Sequence, residues 1–139
     1  MSSRTADVAL VVPAVPDSIA VIRQTVSGIC EALGADPRAI GDIKLAATEA
    51  CTNVVLHAYA TGAAGTIEID ALASHDELTL LVRDHGNGMT PAPMGEGLGL
   101  GLPLIAALTT TMTIEDAGGG GGGGTEVSMT FALHPPADA

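Results

Sequence analysis

The hydrophobic period of this 139-residue chain switches from three-and-four to strict alternation between residues 60 and 66. That switch constrains the fold most, because a helical stripe and an alternating strand bury their apolar sides in different ways. Ahead of it, Ile19, Ile22, Val26, Ile29 and Leu33 mark an amphipathic helix with Asp17-Ser18 as N-cap and Gly34 as stop. Asp36-Pro37 opens a second helix, predicted to reach about Ala60 with Gly62 and Gly65 beyond it. Gly41 lies inside that helix at a cost of about 1 kcal/mol relative to Ala. After the switch, Thr66 to Leu72 and Glu77 to Val82 alternate around Ser74-His75-Asp76, the pattern of a β-hairpin.

The flanks complete the element order. Val8 to Val12, closed by Pro13 and Pro16, reads as a first strand. Asp84 to Gly97 reads as a long loop and Leu98 to Leu108 as a short helix, with Pro103 in its first turn or two. Thr111 to Glu115 and Thr125 to Leu133 read as final strands, joined through the flexible glycine run Gly118 to Gly124. One domain over residues 1–139 is expected, without internal repeats. Tyr59 and Phe131 are the chain's aromatic residues, so the core must be built from Ala, Val, Leu and Ile.

Charge narrows the function. Sixteen acidic residues face five basic ones, for a net charge of −11. The scattered cations form no stripe that could track a nucleic-acid backbone, so direct nucleic-acid binding is excluded; a protein partner with basic patches is favoured. Cys30 and Cys51 lie in apolar helical stretches without zinc-site spacing and are expected as buried thiols. No apolar run approaches the ~18–20 residues of a membrane span. The start, Met1 to Asp7, has no hydrophobic signal core, so a cytoplasmic protein with no membrane association is expected.

Three constellations carry candidate chemistry. On an ideal second helix, Ile40, Ile43, Ala47, Ala50, Cys51, Val54 and Ala58 share one face, and Glu49, Asn53 and His57 form a stripe at i, i+4, i+8 along its edge. A carboxylate beside a buried face suits a general base, and a carboxamide oxygen suits a hard cation; a solvated helix edge has the same pattern. Next, Leu80 to Arg83 feeds into Asp84-His85-Gly86-Asn87-Gly88-Met89. An Asp at a strand end can accept from an exocyclic amine such as that of adenine, and Gly86 and Gly88 allow close backbone approach to a flat base; ordinary turns share this composition. Third, Gly95, Gly97, Gly99 and Gly101 alternate with Glu96, Leu98 and Leu100 where a helix begins. Bare amides at a helix N-terminus bind phosphate. No Lys or Arg follows Arg83, so phosphate charge would fall to amides, the helix dipole and a metal ion. A P-loop is excluded for want of its lysine, and a dinucleotide fingerprint because positions 100 and 102 are Leu.

The ordered set, Glu-x3-Asn on a helix, Asp-x-Gly-x-Gly, Gly-x-Gly-x-Gly, then Gly124-Thr125 before a last strand, resembles the nucleotide-binding boxes of the superfamily that includes gyrase, Hsp90, histidine kinases and MutL. The run from Thr48 to Tyr59 is most similar to the bacterial anti-sigma factor serine/threonine kinases, and the resemblance spans about residues 5 to 133. It implies an α/β (α+β) two-layer sandwich of the Bergerat type, with a mixed, mostly antiparallel sheet covered on one face by helices. It implies ATP and Mg²⁺ as cofactors, Glu49 as the base that deprotonates a serine, Asn53 as the Mg²⁺ ligand, and Asp84 as the adenine contact. Gly86, Gly88 and Met89 would shape the adenine pocket; Gly95, Gly97, Leu98, Gly99, Leu100 and Gly101 would form the lid and phosphate-binding turn; Thr125 would add a hydroxyl near adenine, and His57 would lie near phosphate.

The implied activity is phosphorylation of a serine on an anti-anti-sigma protein by a kinase that also binds a sigma factor, as a homodimer. Arg23 on the first helix is a candidate partner contact. The chain departs from the family in a short 84–95 loop and in a lid without a basic residue. Two alternatives remain: a non-catalytic module in which ATP sets a partner-gripping conformation, and a detached histidine kinase catalytic domain. No histidine precedes the first box to serve as phosphoacceptor for the latter.

Overall fold

The computed structural model describes residues 5–59, 64–86, 101–116 and 123–136. The chain runs β1 (Val8–Pro13), α1 (Pro16–Ala32), α2 (Pro37–Asn53), a π-helical turn (Val54–Ala58), β2 (Thr66–Ala73), β3 (Glu77–Asp84), α3 (Gly101–Leu108), β4 (Thr111–Asp116) and β5 (Thr125–Ala132). The strands form one sheet in the order β1-β2-β3-β5-β4. Every neighbouring pair is antiparallel, which corrects the expectation of a mixed sheet. The reason is connectivity: β4 crosses to the edge, and the return strand β5 inserts between it and β3. β3 and β4, which share a direction, therefore never touch.

Alternation assigns the two sheet faces. Ile67, Ile69, Ala71, Leu78, Leu80, Val82, Val127, Met129 and Phe131 point inward and are buried. They merge with Ile22, Val26 and Cys30 of α1, Ile43, Ala47, Ala50 and Cys51 of α2, and Ile105 of α3 in one apolar cluster. Each of these faces is thereby removed from water at about 25 cal/mol per Å² of apolar surface. Both cysteines are buried free thiols, as expected.

Local chemistry sets the helix ends. Asp36 caps α2 by accepting the Arg38 amide at 2.9 Å, with Pro37 at the first position. Helix α1 instead starts at Pro16, after Val15 and without a side-chain cap, so Asp17 and Ser18 lie in its first turn and do not cap it. Its end follows the glycine rule: Gly34 has φ +72°, its amide reaches Glu31 O, and the Ala35 amide reaches Cys30 O, both at 3.0 Å. The predicted continuation of α2 to Ala60 is replaced after Asn53 by the π-helical turn, beyond which Tyr59 is extended.

Candidate functional site

Asn53 is the last residue of α2 and only 6% exposed. Its Nδ2 is buried without a hydrogen-bond partner among the described residues. The side chain lies against the start of α3: a Cβ placed on Gly101 would sit 3.1 Å from both Nδ2 and Oδ1 of Asn53. The carboxamide of one helix and Gly101 at the opening of another therefore meet. Glu49, one turn earlier and half-buried, makes no ion pair among the described residues. His57 is exposed within the π-helical turn, whose larger number of residues per turn departs from the phase assumed for a uniform α-helix.

Asp84 ends β3 on the inner face, opposite Ile67, and is 1% exposed. Its Oδ1 accepts the Gly86 amide at 3.0 Å, while Oδ2 is buried without a partner among the described residues. Burial raises its carboxyl above the ordinary range, opposed by the Gly86 and Thr125 amides and by His85. Thr125, 5% exposed, opens β5 beside it. Gly124, at φ +109°, permits this approach: a Cβ there would overlap the Asp84 carbonyl oxygen and lie 2.8 Å from its carbon. A buried polar atom left unpaired costs about 1–3 kcal/mol. Asn53 and Asp84 each carry one such atom without a partner among the described residues.

The two places are joined through the end of the helical segment. A Cβ on Gly86 would overlap the Ala58 carbonyl oxygen and lie 3.2 Å from Tyr59 Cδ1. The Tyr59 hydroxyl donates to Thr66 O at 2.6 Å and accepts the amides of Thr66 at 3.2 Å and His85 at 3.0 Å. Sequence reasoning gave Tyr59 and Gly124 no individual role. Their importance lies in contacts with backbone atoms far along the chain; the one available hint was that Tyr59 is the chain's single tyrosine.

On the opposite sheet face, Arg83 bonds Glu126 and Glu68 at 3.0 Å and Asp70 at 3.4 Å, and His85 Nε2 meets Glu68 Oε2 at 2.6 Å. The hydrogen bond from His85 leads the causes that lower the Glu68 carboxyl. Arg83 is thus held by carboxylates and turned away from Asp84, whose side chain points inward.

Of the predicted site residues, the structure brings Asn53 against Gly101 and groups Asp84 with Gly86 and Thr125, while Glu49 is half-buried on α2 and His57 is exposed. Gly88, Met89, Gly95, Gly97, Leu98, Gly99 and Leu100 lie outside the described residues. Among the described residues no group of three or more His, Cys, Asp or Glu could hold a metal unaided. A Mg²⁺ ion that takes most ligands from phosphate oxygens and water needs only one protein oxygen, which Asn53 could supply after exchanging its amide ends.

The family model for the histidine kinase-like ATPase domain matches residues 12–131. The chain is similar to the serine-protein kinase RsbW of Bacillus subtilis (strain 168), 40% identical over 76 residues, covering 55% of this chain and 48% of that protein. It is similar also to the serine-protein kinase RsbW of Halalkalibacterium halodurans, 44% identical over 77 residues, covering 55% and 46%. The chain spans about half the length of the curated relatives it matches. Among solved structures, the RsbU and RsbW domains of a Mycobacterium tuberculosis protein share its fold with a TM-score of 0.70 and 28% identity, covering 94% of this chain and 34% of that one.

Proposed function

The chain belongs to the histidine kinase-like ATPase domain family, and from that premise we propose that it binds ATP with Mg²⁺, phosphorylates a serine of an anti-anti-sigma protein and sequesters a sigma factor. The observation that supports the reading is a pair of buried polar atoms without partners among the described residues, Asn53 Nδ2 against Gly101 at the start of α3 and Asp84 Oδ2 at the end of β3. Asp84 would accept the adenine amino group, Gly86 and Thr125 would frame the base, and Asn53 with the opening of α3 would face the metal-bound phosphates. In the transfer, the serine oxygen bonds to the γ-phosphorus as the β–γ bridging bond breaks; its proton passes to Glu49, and ADP leaves. Mg²⁺ supplies charge neutralisation on the phosphates when bound.

The similarity to serine-protein kinases named RsbW supports the partner assignment. A groove of 370 Å³ between α1 and α2, lined in part by Arg23, Gln24 and Lys44 together with the carboxylate of Glu31, offers such a partner charges of both signs. No helix among the described residues is long and apolar enough to cross a membrane; cytoplasmic residence and homodimerisation belong to the same proposal. One observation favours a second reading, in which ATP only gates partner binding: Arg83, the last cation of the chain, is already held by three carboxylates. Incubation of the purified protein with Mg-ATP and an anti-anti-sigma partner decides between them. Transfer that is lost in Glu49→Ala, with nucleotide binding kept, is expected. Transfer that survives the substitution removes Glu49 as base. Nucleotide-dependent complex formation without any transfer favours the gating module.

A further inference from the structure

We propose that Tyr59 is a positioning residue for base recognition, locking the Asp84–Gly86 turn to the end of the Asn53-bearing helix; this rests on the adenine role proposed for Asp84. A phenol offers one donor and room for two acceptances. Tyr59 uses all three, through Thr66 O, the Thr66 amide and the His85 amide. The His85 amide immediately follows Asp84, and the next amide, of Gly86, is the one Asp84 Oδ1 accepts. The phenol thus fixes the residue between the carboxylate and its own backbone partner, and with it the aim of the unpaired Oδ2.

Two glycines admit the ring. A Cβ on Gly65 would overlap Cε2 and Cζ, and one on Gly86 would sit 3.2 Å from Cδ1 on the other edge of the ring. The ring is therefore seated by steric exclusion, and its oxygen is delivered to one place. Phe131, the other aromatic residue, is buried in β5 and cannot substitute. The Ile67–Asp84 pairing holds the strand end by itself, so loss of the hydroxyl should loosen the turn without dissolving the sheet. Recognition by a single carboxylate oxygen fails on misplacements of about 0.5 Å.

The test measures ATP, GTP and inorganic tripolyphosphate, each with Mg²⁺, binding to the full chain and to Tyr59→Phe. The expected result is a roughly tenfold loss of ATP affinity, with GTP and tripolyphosphate within about twofold because neither uses an adenine amine. An unchanged ATP affinity, or an equal loss for all three probes, overturns the proposal in favour of a purely structural tyrosine. If the wild-type protein itself binds ATP no better than tripolyphosphate, the adenine role of Asp84 falls first and this inference falls with it. Should the variant fail to fold, hydrogen exchange on the wild-type protein decides. The His85 amide should be protected, and more so with ATP than with tripolyphosphate; a freely exchanging His85 amide in the ATP complex refutes the lock.

Discussion

Replacing Gly101 with Ala should weaken metal-dependent nucleotide binding while leaving the fold intact. The new Cβ would stand 3.1 Å from both terminal atoms of the Asn53 carboxamide and 3.5 Å from its Cγ. Comfortable van der Waals separations begin near 3.5 Å for carbon pairs, so the carboxamide must withdraw by about 0.3 Å. Mg²⁺ demands near-ideal octahedral ligands at about 2.0–2.1 Å and forgives such a shift poorly. A penalty of about 1–2 kcal/mol follows, which is a factor of about 5–30 in affinity. Against this, Ala at the start of α3 gains up to about 1 kcal/mol of helix propensity, so the ligand-free protein should melt no earlier than wild type. Calorimetric titration of ATP with Mg²⁺ and then with a chelator separates the effects. Mg-ATP should bind about 5–30-fold more weakly, and metal-free ATP should be unaffected. An equal loss in both titrations, or Mg-ATP affinity within about twofold of wild type, would refute the placement of Asn53 beside the metal.

Three further outcomes follow from the geometry. Because burial raises the Asp84 carboxyl, the folded protein holds that proton more tightly than the unfolded chain, so this group's contribution to stability falls as pH rises from its ordinary 3.8 through the raised value. Asp84→Asn should therefore be more stable than wild type at neutral pH, with the gap closing on acidification, while ATP affinity drops; denaturation across that range, showing a constant gap, would contradict this. Burial pushes the Cys51 thiol up to about 12, and burial aided by Glu31 pushes Cys30 up to about 11, so native protein should resist iodoacetamide that labels both sites after unfolding. Arg83→Met would leave Glu68, Asp70 and Glu126, 26–29% exposed, facing one another. A loss of about 1–2 kcal/mol, partly restored by salt in urea denaturation, is expected.

The hairpin and the α2 cap were legible because their signals are local: alternation about Ser74-His75-Asp76, and Asp36 before Pro37. The start of α1 was misread because Pro16, suited to a first helical position, outcompetes the Asp17-Ser18 cap. Sheet direction was not legible, since nothing near β4 states that β5 inserts between it and β3. In the site, Glu49, Asn53 and Asp84 stood out by residue type and spacing. The phase of His57 was not legible, because a fixed 100° step cannot register a change in residues per turn. Tyr59 escaped notice because its partners are backbone groups of Thr66 and His85, which leave no trace in side-chain patterns.

The π-helical turn has a consequence for chain length. Its i→i+5 bonding accommodates one residue more than an α-helical path would over the same span. Adding a further residue between Val54 and Ala58, with nothing left to absorb it, would swing the following phenol by about 100° and carry it about 1.5 Å along the axis. The hydroxyl would then miss all three partners even with every other side chain unchanged. This stretch should accordingly accept altered letters more readily than an added one.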